Sequence, residues 1–177
     1  MKKFIINLFF VLTVFIIYFL QSNFFTWFNI AEVMPNVFII FVLFVGLFTN
    51  KTLGTIYGVI IGLILDLLFG TKVGIQAVSL GLIGFLAAIF DKNFSKDSRM
   101  TIMVMVLGST IIVEVINYLL KYMFIGNSVE IFNFIRILIL EVIFNLILTI
   151  IIYPLIQKFG YEIESEYKGN KILTRYF

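Results

Sequence analysis

The sequence contains neither cysteine nor histidine among its 177 residues. Disulfides, thiolate nucleophiles, the usual zinc ligands and imidazole acid–base catalysis are therefore excluded. Charged residues make up only 13% of the chain, whereas hydrophobic residues make up 62% and phenylalanine alone occurs 22 times. So little polar surface cannot solvate a globular domain, and the composition predicts an all-α integral membrane protein.

Six long apolar runs predict a bundle of six transmembrane helices. They cover residues 4–20, 34–48, 53–69, 73–90, 100–125 and 131–156. We expect one six-span membrane domain over residues 1–157, followed by a short cytoplasmic tail over residues 158–177. The second run is the shortest, because about 20 apolar residues are needed to cross about 30 Å of hydrocarbon. Pro35 and Asn36 are expected to start its helix, since proline fits the first helical turn.

The distribution of basic residues predicts how the bundle is oriented. Ten of the 13 Lys and Arg residues precede the first span, follow the second or fourth span, or lie after the sixth. Cytoplasmic loops carry an excess of Lys and Arg, so both termini are expected in the cytoplasm.

The third span carries a regular glycine pattern. The stretch GTIYGVIIGLILD places Gly54, Gly58 and Gly62 four residues apart and reaches Asp66 in the same register. Glycines at this spacing share one helix face and let a neighbouring backbone approach closely, so this face is predicted to pack against another helix. A charge facing lipid costs at least ~2.5 kcal/mol, so Asp66 is expected to pair with Lys121 or Arg136.

Further polar residues lie within the last two spans. Glu114, Asn117 and Lys121 share one face of the fifth span, and Glu141 and Asn145 share one face of the sixth. We expect a polar interior between spans three, five and six. These residues either fasten the bundle together or line a substrate or ion pocket, and the first interpretation is preferred because no selective ligand set is visible.

Motifs for catalysis are absent from the sequence. It holds no Ser-His-Asp set, no GxSxG, no P-loop and no GxGxxG. Glu114 and Glu141 are predicted near the membrane midplane, out of reach of aqueous substrates. The chain is therefore predicted to be no enzyme and to need neither a metal nor a cofactor.

The order of these elements resembles the MreD family of rod shape-determining proteins. The resemblance rests on MPNVFIIFVLFVGLF in the second span, on GTIYGVIIGLILDLLFGTKVG with Asp66 in the third, and on GIQAVSLGLIGFLAAIF in the fourth. It implies a non-enzymatic scaffold subunit of the bacterial elongation complex in the cytoplasmic membrane. The implied partners are the single-span protein MreC, the actin-like MreB, a transpeptidase and a lipid II polymerase, which together direct lateral peptidoglycan synthesis.

Two other functions remain open from the sequence. A substrate-binding subunit of an energy-coupling-factor vitamin transporter is also a six-helix membrane protein of this size, and MreD-like proteins resemble it in fold. That family implies an Ala-xxx-Ala coupling face in the first span, whereas FIINLFFVLTVFIIYFL is bulky throughout. An ion- or proton-translocating protein built on Glu114, Glu141 and Lys121 has less support, because few polar residues line a continuous path.

Overall fold

Helices form most of the backbone in the computed structural model, which describes residues 2–28, 33–69, 72–94, 96–126 and 130–169. Six α-helices follow in chain order: α1 Lys2–Phe19, α2 Val37–Phe48, α3 Lys51–Phe69, α4 Ile75–Asn93, α5 Arg99–Ile125 and α6 Ile131–Lys168. A π-helical turn and a 3-10 turn extend α1 to Phe28. The predicted all-α class is confirmed.

The second helix differs from the prediction. Five of the six helices are long and apolar enough to cross a membrane, and α2 is the shorter exception. Its 12 residues span about 18 Å, well under the ~30 Å of hydrocarbon. The apolar run 34–48, the shortest of the six, is helical only from Val37, and residues 34–36 are not helical.

The late start of α2 has a local cause. The residue before a proline is disfavoured in helical geometry, which keeps Met34 out of the helix. The main-chain N–H of Asn36 then donates to Asn145 Oδ1 on α6 at 2.8 Å. Asn145 lies 14 residues after the start of α6, or roughly 21 Å along its axis, so α2 begins deep inside the bundle.

The short helix α2 is the most buried element of the fold. Eleven of its 12 residues are buried, and Ile39, Leu43 and Leu47 are completely inaccessible. The preceding backbone is covered as well, since Val33 and Pro35 are buried. Non-helical backbone is tolerated at membrane depth only where protein or a water-filled cavity surrounds it, and the other helices provide that cover here.

The described ends of the chain meet at one end of the bundle, called here the terminal end. Lys2 Nζ lies 3.1 Å from Glu166 Oε1, and the Tyr167 hydroxyl lies 3.2 Å from Asn7 Oδ1. The α3–α4 junction lies at the other end, called here the junction end.

The last helix is longer than the predicted sixth span. With 38 residues it is about 57 Å long, so it continues well past residue 156. Residues 158–168, predicted as part of a tail, prolong α6 and pack against the start of α1. The rest of that predicted tail, residues 170–177, lies outside the described residues.

Candidate functional site

Asp66 on α3 caps the N-terminus of α4. Its carboxylate accepts hydrogen bonds from the main-chain N–H groups of Gly74 at 2.8 Å, Gln76 at 3.0 Å and Ala77 at 3.2 Å. The side chain is only 3% exposed. The first N–H groups of a helix have no partner within the helix and carry partial positive charge, so one carboxylate satisfies several of them together.

This contact corrects the predicted partner of Asp66. We expected Lys121 or Arg136, but both of these side chains are exposed, and the carboxylate is bonded by main-chain groups instead. The physical reason is proximity: the turn after α3 brings residues 74–77 back onto the carboxylate. Neutralisation by helix N–H groups also avoids burying a second charged side chain.

The glycines of α3 face neighbouring backbone. A Cβ atom added to Gly58 would overlap the main chain of Leu80, and one added to Gly62 would overlap the main chain at Ala77. At Gly54 it would lie 2.6 Å from the carbonyl oxygen of Gly84. Helices α3 and α4 therefore approach through their backbones, and this approach brings the start of α4 within reach of Asp66.

A polar network crosses the bundle between α2, α4, α5 and α6. Fully buried Asn145 accepts the Asn36 N–H, and its Nδ2 donates to Thr110 Oγ1 at 3.0 Å. On the α4 side, the Ser79 hydroxyl lies 2.6 Å from Asn117 Oδ1. These bonds tie the start of α2 to the centre of three longer helices.

Glu141 and Glu114 form the acidic part of this network. Glu141 is 6% exposed. Asn145 on α6 bonds Thr110 on α5, and Glu141 and Glu114 each lie one turn nearer the junction end on the same two helices, so their carboxyl groups are neighbours. Its Oε1 atom is buried without a hydrogen-bond partner among the described residues. Lys121 is the basic group facing this pair, although its side chain is exposed.

The structure assembles the polar residues of the interior from a different set of helices than expected. The structure brings together Asn36, Glu114, Asn117, Glu141 and Asn145, whereas α3 contributes Asp66 to a separate contact at the junction end. Helices α2 and α4 take the place that was predicted for the third span. The sequence signal for α2 was Asn36 beside Pro35, which we interpreted only as a helix start.

A second polar cluster was not predicted from the sequence. Lys96 Nζ lies 2.6 Å from both Asp91 Oδ1 and Glu164 Oε1, and Lys168 Nζ lies 2.7 Å from Asp91 Oδ2. Both ammonium groups also donate to the carbonyl oxygen of Leu47 in the last turn of α2. We call Asp91, Lys96, Glu164 and Lys168 the terminal ion cluster.

The terminal ion cluster gives the C-terminus of α2 partners that it would otherwise lack. The last carbonyl groups of a helix have no partner within the helix, and they attract positive charge. We interpreted these lysines from the sequence only as markers of orientation. The one local signal was the spacing of Glu164 and Lys168, which are four residues apart on α6.

Within the described parts of the chain, no group of three or more His, Cys, Asp or Glu side chains could hold a metal ion. The arrangement can bind helices to one another and can accept a small positively charged or hydrogen-bonding species near Glu141.

Comparison with known proteins identifies the family. The family model described as rod shape-determining protein MreD matches residues 2–159, which is most of the chain. No curated protein and no solved structure matches the chain significantly. The resemblance inferred from the sequence is confirmed: the chain belongs to the MreD family, and it is a multi-pass protein of the bacterial cytoplasmic membrane with a role in rod shape determination.

Proposed function

We propose that the chain is a non-enzymatic scaffold subunit of the cell-elongation complex. In this role it binds an MreC-like single-span protein and, with MreB, a transpeptidase and a lipid II polymerase, helps direct lateral peptidoglycan synthesis. The observation that carries the proposal is the MreD family match over residues 2–159. Buried polar groups engaged with helix ends and with other helices suit a holding role.

The bundle has the rigidity that a scaffold needs. Helices α3 and α4 approach through their backbones, α2 is enclosed, and polar contacts fix both ends of α2. Such an interior holds its outer helices in fixed relative positions. Helix α1 is the exception, because only Phe10 and Ile17 of its 18 residues are buried. Most of its apolar surface therefore faces lipid or other membrane helices.

The proposal includes an orientation and a domain division. We place the terminal end in the cytoplasm, which makes both termini cytoplasmic and residues 1–157 one membrane domain followed by the segment 158–177. The basic residues support this orientation: Lys2, Lys51, Lys96 and Lys168 all belong to the terminal end or to the helix ends that meet there. Cysteine-accessibility labelling from either side of the membrane tests it.

The alternative function is a substrate-binding subunit of an energy-coupling-factor transporter. The buried polar network around Glu141 favours it as a place for a small ligand. The bulky, exposed side chains of α1 count against it, because they leave no small-residue face for a coupling protein. The two functions differ in the proteins that they require.

Complementation of cell shape tests the proposed function. A rod-shaped host is depleted of its own MreD, and the chain is expressed from a plasmid at a matched membrane level. The proposal predicts that rods are restored by the parent and by Gly108→Ala, a control position where an added Cβ meets nothing within 4 Å. Gly58→Leu, which disrupts the α3–α4 contact, is expected to leave round cells. Round cells with the correctly inserted parent chain would contradict the proposal.

A further inference from the structure

Two acidic side chains face each other deep in the bundle. Glu141 lies 10 residues after the start of α6, and Glu114 lies 11 residues before the end of α5, so both sit roughly 15 Å from the junction end. The hydrogen bond between Thr110 and Asn145, one turn deeper on the same two helices, places their carboxyl groups side by side. The scaffold function assigns no task to this pair.

The charges around the pair do not balance. From α5 the facing groups are Glu114 and Lys121, from α6 the group is Glu141, and from α2 it is the neutral amide of Asn36. The nearest polar contact that involves α4 is also neutral, since Ser79 bonds Asn117. Among the described residues, two carboxylates thus face one lysine, which leaves the site short of one positive charge.

At this depth, such an imbalance of charge raises the free energy of the folded state. A buried charge without a partner is strongly destabilising, and two adjacent carboxylates repel each other. A hydrogen bond between two carboxyl groups itself needs one proton. Glu141 Oε1 adds an independent observation, because this buried oxygen has no partner in the described part of the chain and is free to accept one.

We propose that Glu114 and Glu141 together bind one monovalent cation inside the bundle. Either a proton or a sodium ion can supply this single positive charge between the carboxylate oxygens. The Asn36 N–H donates to Asn145, one turn along α6 from Glu141, so the bound cation stabilises the start of α2 against α6. This inference goes beyond the scaffold function and does not depend on it.

Thermal unfolding of the purified full-length protein tests the proposal. The midpoint is measured by calorimetry in a nonionic detergent, in sodium chloride or in choline chloride of equal ionic strength, at about pH 6 and about pH 8. The variant is Glu141→Gln, which leaves Glu114 balanced by Lys121. The matched control is Glu162→Gln, which removes an exposed carboxylate from the same helix.

The parent and the Glu162→Gln control are expected to gain stability when the cation is supplied. At about 100 times its dissociation constant, a ligand specific for the folded state raises the midpoint by roughly 5 to 10 °C. A sodium-dependent rise at about pH 8 identifies sodium. A rise on acidification in choline alone identifies the proton, since a proton bound only in the folded state stabilises it at low pH.

Two results would overturn the proposal. One is a parent midpoint that is the same in both salts and at both pH values. The other is a Glu141→Gln variant that keeps the full response of the parent. Should Glu141→Gln fail to fold, Glu114→Gln takes its place, because it removes the other carboxylate of the pair.

Discussion

Replacement of Asp66 perturbs a contact that joins two helices. In Asp66→Leu, the main-chain N–H groups of Gly74, Gln76 and Ala77 all lose their acceptor. Leucine offers no oxygen that could replace this acceptor. In Asp66→Asn, one carboxamide oxygen remains in nearly the same place.

The expected loss follows from the number and kind of these bonds. A hydrogen bond to a charged acceptor contributes about 1.5 to 3 kcal/mol. Three donors share the Asp66 carboxylate, so their contributions are not fully additive. We therefore expect Asp66→Leu to lower the free energy of unfolding by about 3 to 6 kcal/mol. Asp66→Asn keeps one acceptor but loses the charge, and about 1 to 2 kcal/mol is expected.

The assay is reversible unfolding in mixed micelles by increasing amounts of a denaturing detergent, followed by circular dichroism. The parent, Asp66→Asn and Asp66→Leu should unfold in that order of decreasing stability. Glu162→Leu serves as a control, because its carboxylate is exposed and its removal should change little. If Asp66→Leu unfolds together with the parent, the carboxylate does not fasten α4 to α3.

Three further substitutions test other contacts by the same unfolding assay. Gly58→Ala should lower the free energy of unfolding by about 1 to 3 kcal/mol, because its methyl group overlaps the α4 backbone. Gly108→Ala adds a methyl group in open space and should leave the stability unchanged. Equal effects of the two substitutions would contradict the close approach of α3 and α4. Lys96→Met should lower the free energy of unfolding by about 1 to 3 kcal/mol, because Glu164 loses its close cation and, among the described residues, keeps only Lys168 at 3.7 Å. Lys2→Met, at an exposed pair, should cost under ~1 kcal/mol. Asn145→Leu should cost about 1 to 3 kcal/mol, and an unchanged stability would rule out its role as an acceptor for α2.

Much of the fold follows from patterns within single helices. Long apolar runs gave the longer helices, and the spacing of Gly54, Gly58 and Gly62 indicated one face of α3. Helix α2 was harder to predict, because its apolar run looks like a short span. The main-chain N–H of Asn36, just before its first turn, donates to Asn145, a residue 109 positions away. No local pattern encodes that contact.

The residues of the candidate site also divide into those that local spacing predicts and those whose contacts depend on distant parts of the chain. Glu114 and Asn117 share one helix face through their spacing, and the same holds for Glu141 and Asn145. The expected partners of Asp66 are charged side chains, whereas in the structure main-chain N–H groups at a helix start bind the carboxylate. Polar groups of the backbone are identical in every sequence, so composition cannot reveal where they become available.

The terminal ion cluster illustrates a further limit of sequence interpretation. Lysines near the ends of membrane spans indicate orientation, and that interpretation says nothing about their partners. Lys96 meets Glu164 across 68 positions of sequence, and it is nearly buried. Only the packing of α6 past the predicted end of its span brings the two charges together.

Co-purification from native membranes tests the central claim most directly. The tagged chain is extracted in a mild detergent, and its bound proteins are identified by mass spectrometry against an equally expressed, tagged membrane protein of unrelated function. The scaffold account predicts recovery of an MreC-like single-span protein together with wall-synthesis enzymes. Recovery of paired ATPases with a shared membrane coupler, and no MreC-like protein, would contradict it and would establish the transporter function instead.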